Sequence, residues 1–158
     1  MENIEVYQQT ILDHSKNPEN FKILKPCTHY AKSNNPLCGD KVEIFSNIKN
    51  DIAQNISFQG AGCAISIASA SILTKVLSYK KLEESKIILV NFINMVENKN
   101  YSFDFISKHE KRLLMTFSEI KKFYQKLLKF ENYKPVSYTH LTLPTTKNVG
   151  LAGGGVCV

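Results

Sequence analysis

The sequence predicts one globular domain in which helices surround an antiparallel hairpin, and three observations carry that reading. Two short runs, Val42 to Ser46 and Ile52 to Gln59, have strand-like character and flank a polar turn. Longer segments on both sides of them repeat apolar residues at helical spacing. The 158 residues are 43% hydrophobic and 22% charged, enough apolar material for one core and too much for a disordered or fibrous chain.

In chain order, Ile4 to Ser15 places Ile4, Tyr7, Ile11 and Leu12 on one helical face, and the Asn and Pro of KNPEN stop that helix. His14 near its end reads as a cap or packing group before it reads as a ligand. Phe21 to Asn35 is irregular, with a short extended piece around His29 to Lys32. Cys27 has no Gly, Asp or second thiol beside it and is expected to be structural.

The hairpin follows. Val42, Ile44 and Ser46 alternate with Lys41, Glu43 and Phe45, NIKND makes the turn, and Ile52 to Gln59 returns. Antiparallel pairing brings Asp40 and Gly60 to one edge of the sheet, so Cys38 and Cys63 converge although 25 positions separate them. Cys63 to about Leu77 is a helix whose small residues allow close packing against a sheet, with Cys63 in its first turn. Backbone amides and the macrodipole at that end favour a thiolate, the form that acts as nucleophile or metal ligand. The alternative is that Gly60 and Gly62 merely turn the chain and Cys63 packs as a small hydrophobe.

Leu82 to Val96 reads as an amphipathic helix ending at ENKN. Tyr101 to Thr116 reads as a mixed connector with a basic piece, KHEKR, in which His109 is solvated. Phe117 to Phe130 is again helical, and its aromatic positions are core material. From Val136 the composition changes: the last 23 residues hold no Asp or Glu, one Lys, and four of the seven glycines. VSYTHLTLPTT, Val136 to Thr146, resembles a translated sequencing-library adapter. The expected division is therefore a domain over 1–135 and a non-native or disordered tail over 136–158.

The net charge of +6 comes from scattered lysines with no basic stripe interleaved with aromatics, so no nucleic-acid partner is expected. No charged leader precedes an apolar run and no stretch is long enough to span a bilayer, which makes a cytoplasmic location the default and excludes a membrane partner. Four cysteines, Cys27, Cys38, Cys63 and Cys157, lack the spacing of a secreted disulfide scaffold. In a reducing compartment Cys38 and Cys63 would be free to act as ligand or nucleophile.

Three motifs together resemble the IscU/NifU N-terminal family of iron–sulfur cluster assembly proteins, and its SufU branch in particular. ILDHSKNPEN is similar to the family's N-terminal helix, NNPLCGD to its first cysteine loop, and GAGCAISIASASILT to its second cysteine loop and helix. The resemblance covers roughly Val6 to Phe130. It implies an α+β fold with a small three-stranded antiparallel sheet and helices packed on one face. It also implies a site of three cysteines and one aspartate that holds Zn2+ or a nascent 2Fe-2S iron–sulfur cluster. Cys38, Asp40 and Cys63 match by position as metal or cluster ligands. The third cysteine does not, because EIKKFYQKLL puts Lys122 at or next to the place where relatives carry it, ahead of their last helix. The fourth ligand is thus either missing or supplied from elsewhere, through divergence of the chain, a sequencing frame error ahead of the adapter-like tail, or another donor.

The resemblance further implies the partners: a cysteine desulfurase that presents a persulfide, and a downstream iron–sulfur scaffold or apo-protein acceptor. Cys63 is then the expected sulfur acceptor, either in a zinc-dependent sulfurtransferase or in a non-enzymatic scaffold. The competing expectation is a degenerate binding module that docks on the desulfurase without a complete metal site.

Overall fold

A computed structural model of the chain describes residues 4–36 and 39–128, with side chains described through Glu119. The order is α1 (Ile4–Lys16), β1 (His29–Asn35), β2 (Asp40–Lys49), β3 (Ile52–Ala61), α2 (Ala64–Leu77), α3 (Leu82–Val96) and α4 (Lys108–Leu128). The strands form a three-stranded antiparallel sheet in the order β1-β2-β3, so the α+β class and the sheet agree with expectation. The short extended piece at His29 is a full edge strand that runs to Asn35.

Two residues, Asn50 and Asp51, join β2 to β3, and both have positive φ, 51° and 57°. A two-residue hairpin turn whose twist matches its strands demands that conformation at both positions, and Asn and Asp tolerate it best after Gly. From there the register runs from Lys49 opposite Ile52 to Lys41 opposite Ala61, with one irregularity between Asn47 and Ile48. On the outer edge of β3, Phe58 N–H donates to the Asn20 carbonyl and Ala53 N–H to the Lys80 carbonyl. Flanking loops thereby cover part of an otherwise unpaired edge.

The core lies among the helices and is centred on α2. Ile72 and Val76 of α2 meet Tyr7 and Ile11 of α1, Ile88 and Phe92 of α3, and Leu114 and Phe117 of α4, while Ile56 of β3 packs against the same cluster. Phe92 and Phe117 meet edge to face with centroids 5.5 Å apart. Burying side chains such as Ile72 or Phe117 contributes about 1.5–3 kcal/mol each. Ala68, Ser69, Ala70 and Ser71 are all buried, because only small residues let neighbouring elements approach α2 this closely.

Ser71 also ties the end of α1 to α2. Its Oγ lies 2.8 Å from His14 Nδ1 and accepts the Glu19 N–H, while Lys75 pairs with the Glu19 carboxylate at 2.6 Å. His14 is therefore a packing group, as the sequence suggested. Burial pushes it below its ordinary value of 6.5, with Glu19 and Asp13 opposing that shift and Lys75 reinforcing it.

The last helix departs from expectation. It starts at Lys108, so the segment read as a connector supplies its first turns. The cause is a capping box: Glu110 N–H donates to Ser107 Oγ at 3.2 Å, and Ser107 N–H donates back to the Glu110 carboxylate at 3.0 Å. Burial alone would lower Lys80, yet its ion pairs with Glu84 and Glu110 outweigh that and hold it raised. That pairing anchors the start of α4 beside the end of α2. His109 is exposed, as expected. Residues 129–158, including the adapter-like tail, lie outside the described residues. Among the described residues no helix is long and apolar enough to cross a membrane.

Two outcomes follow for stability. The depressed His14 means the unfolded chain binds more protons, so stability is present above about pH 6.5 and is lost as pH falls below it. Thermal melts of the wild type should drop as pH falls below about 6.5, and His14→Gln should flatten that part of the profile. Identical profiles for the two proteins would remove His14 as the cause. Ser107→Ala should cost about 1 kcal/mol in denaturant unfolding.

Candidate functional site

The open end of the β2–β3 hairpin carries the site. Because Lys41 lies opposite Ala61, the residues just outside that pair, Asp40 and Gly62, are neighbours, and Cys63 follows. Asp40 opens β2 and is 9% exposed; its Oδ1 accepts the Cys63 N–H at 3.1 Å. Cys63 stands one residue ahead of the first turn of α2, as its N-cap, with φ −68° and ψ 164°. Its Sγ accepts the Ser66 N–H at 3.4 Å, which satisfies one of the amides a helix start leaves unpaired. The thiol is half-buried and is the free cysteine among the described residues, whereas Cys27 is buried and disulfide-bonded.

Two glycines make this approach possible. A Cβ at Gly60 would lie 2.3 Å from the Lys41 carbonyl oxygen, inside the facing strand. At Gly62 it would lie 2.7 Å from Asp40 Oδ1, in the space the carboxylate needs to reach the Cys63 amide. The turn that sequence reading could explain as mere punctuation is therefore shaped around the carboxylate. On the other side of Asp40, Gly39 has φ 75°, and its N–H donates to the Asn35 carbonyl at 2.9 Å, closing the β1–β2 loop.

The structure thus brings Asp40 and Cys63 together, as the hairpin argument required. Cys38, one residue before Gly39, lies outside the described residues. Among the described residues no group of three or more His, Cys, Asp or Glu could hold a metal. Lys122 lies within α4, as the expected helix over Phe117 to Phe130 already placed it. Its side chain lies outside those described. The chain has no cysteine between Cys63 and Cys157, so the third thiol of the resembling family has no counterpart in that interval.

The donor chemistry can be weighed directly. Cys63 Sγ accepts one amide and Asp40 uses one carboxylate oxygen, so both keep lone pairs for a cation. Among the described residues they offer one sulfur and one carboxylate. Zinc accepts three protein donors where a fourth position stays open to solvent or a reactant, whereas a closed structural site takes four. The two described donors by themselves complete neither arrangement.

The cap role separates packing from chemistry. Serine is among the preferred N-caps, so Cys63→Ser should retain stability, while Cys63→Ala should lose about 1 kcal/mol in urea unfolding. Equal losses for both variants would mean the sulfur contributes by packing instead.

Comparison with known proteins adds an independent line. The NifU-like N terminal domain family matches residues 6–101. The zinc-dependent sulfurtransferase SufU of Bacillus subtilis is 36% identical over 96 residues, covering 61% of this chain and 65% of that protein. The iron–sulfur cluster assembly scaffold protein IscU 1 of Archaeoglobus fulgidus is 32% identical over 80 residues, covering 51% of this chain and 52% of that protein. The chain thus spans between half and two thirds of the length of these relatives. A crystal structure of a hypothetical protein superposes with a TM-score of 0.63 at 28% identity, covering 79% of this chain and 88% of that one.

Proposed function

Because the chain belongs to the NifU-like N-terminal domain family, with the SufU-like branch supported by its 36% identity to SufU, we propose that it is an iron–sulfur cluster assembly protein accepting sulfur at Cys63. The donor in this reading is the persulfide of a cysteine desulfurase. One observation carries it. Cys63 is a free, partly exposed thiol at a helix start, and its own amide is held by the buried carboxylate of the CGD motif.

In the transfer step the Cys63 thiolate attacks the outer sulfur of the desulfurase persulfide. A bond forms between the two sulfurs while the persulfide bond breaks, and the desulfurase cysteine leaves as a thiolate. The outer sulfur moves as sulfane sulfur with no net oxidation. Rate in such exchanges depends on the thiolate fraction, the leaving thiol and access. The chain supplies access through the partial exposure of Cys63 and orientation through the Ser66 amide on its sulfur.

Zinc held by Cys38, Asp40 and Cys63 would keep the thiols deprotonated and the two loops together. A cluster built here would instead be cargo for a downstream scaffold or apo-protein. Asp40, a hard oxygen among soft sulfurs, is the donor suited to exchange during release. The second reading is a docking module that binds the desulfurase without completing a metal site, and the lack of a cysteine between Cys63 and Cys157 favours it. A cytoplasmic setting, and a natural domain ending near Pro135 ahead of adapter-derived sequence, belong to the same proposal; sequencing the genomic locus across that junction tests the boundary.

Metal analysis and desulfurase assays decide among these readings. Zinc at about one equivalent per chain with faster desulfurase turnover supports sulfur relay, and a coloured cluster after anaerobic reconstitution supports the scaffold. Cys63→Ser should abolish sulfur acceptance while the protein stays folded. Unchanged transfer by that variant sinks the assignment of Cys63, and neither metal nor stimulation leaves the docking module.

A further inference from the structure

The Asp40 carboxylate makes a contact that metal ligation does not require. Its Oδ1 accepts the backbone N–H of Cys63, the residue whose sulfur caps α2 by accepting the Ser66 N–H. The two bonds form a chain from the first residue of β2, through the main chain of Cys63, to the first turn of α2. We infer that Asp40 is a positioning residue that sets the Cys63 thiol through its amide, whether or not a metal is present.

Three features of the geometry support that role. Asp40 is 9% exposed, so its hydrogen bond is sheltered from competing water. Gly62 leaves the space the carboxylate fills, and any Cβ there would meet Oδ1 at 2.7 Å and Cγ at 2.9 Å. Cys63 has an extended backbone, φ −68° and ψ 164°, which directs its side chain back over the helix start while its N–H turns toward β2. An acceptor oxygen at residue 40 is what the amide needs, and a negative charge is not. Asparagine keeps such an oxygen, and alanine removes it.

The inference rests on Cys63 being the reacting thiol, and the test separates the two. Metal-free full-length protein in EDTA is compared as wild type, Asp40→Asn, Asp40→Ala and Gly62→Ala. By amide hydrogen exchange, Asp40→Asn should protect Cys63 and Ser66 nearly as wild type does. Asp40→Ala and Gly62→Ala should expose both amides about tenfold faster, the loss of one sheltered hydrogen bond, with amides at Ile72 to Val76 unchanged as the control for folding. Persulfide uptake from a desulfurase, still without metal, should fall about tenfold in Asp40→Ala and Gly62→Ala.

A role as ligand alone predicts no effect of any of these substitutions in metal-free protein, and that result overturns the inference. Asp40→Asn behaving like Asp40→Ala in exchange also overturns it, since charge would then be the operative property. If the exchange pattern holds and the wild type takes up no sulfur, the sulfur-acceptor reading fails while the positioning of the Cys63 thiol stands.

Discussion

The register of β2 against β3 is the constraint on which the functional end of the molecule depends. Pairing Lys41 with Ala61 leaves Asp40 and Gly62 side by side at the open end of the hairpin, and a shift by one residue would turn Asp40 to the other face of the sheet. The left-handed pair Asn50 and Asp51 closes the far end of the hairpin, and the irregularity between Asn47 and Ile48 shifts the pairing by one residue into the register that reaches Lys41 and Ala61. The turn and the irregularity together, carried by strand pairing, fix which residues meet at the other end.

The helical layer gives the hairpin something rigid to act against. α2 begins where β3 ends, and its buried small residues let it lie close to β3 and α1 along its length. Since α2 is held by the core around Ile72 and Val76, its start has a defined position, and Cys63 inherits it. The Ser71 contacts with His14 and Glu19 and the Lys80 contacts with Glu84 and Glu110 fasten α2 near its middle and beyond its end. These polar ties are all remote from Cys63, which keeps the structural histidine separate from the thiol and carboxylate.

Some of this was legible and some was not, for reasons that differ by residue. The capping box at Ser107 and Glu110 was present in the letters SKHE, but the charged residues around it obscured a helix start whose apolar repeat emerges only later. β1 reached Asn35 because β2 offered a complete set of partners, which the weak pattern of HYAKSNN could not announce.

What the sequence by itself determined is the set of local instructions: two strand runs around an Asn-Asp turn, amphipathic helices, and CGD and GAGC at the two ends of one hairpin. Those follow from backbone preferences and side-chain periodicity, which are properties of neighbouring residues. What only the tertiary structure decided is that the aspartate reaches across to the amide of the second cysteine, and that Gly62 is small to make room for it. That contact joins residues 23 positions apart. Its direction depends on how two strands and a helix pack together, and no local preference encodes it.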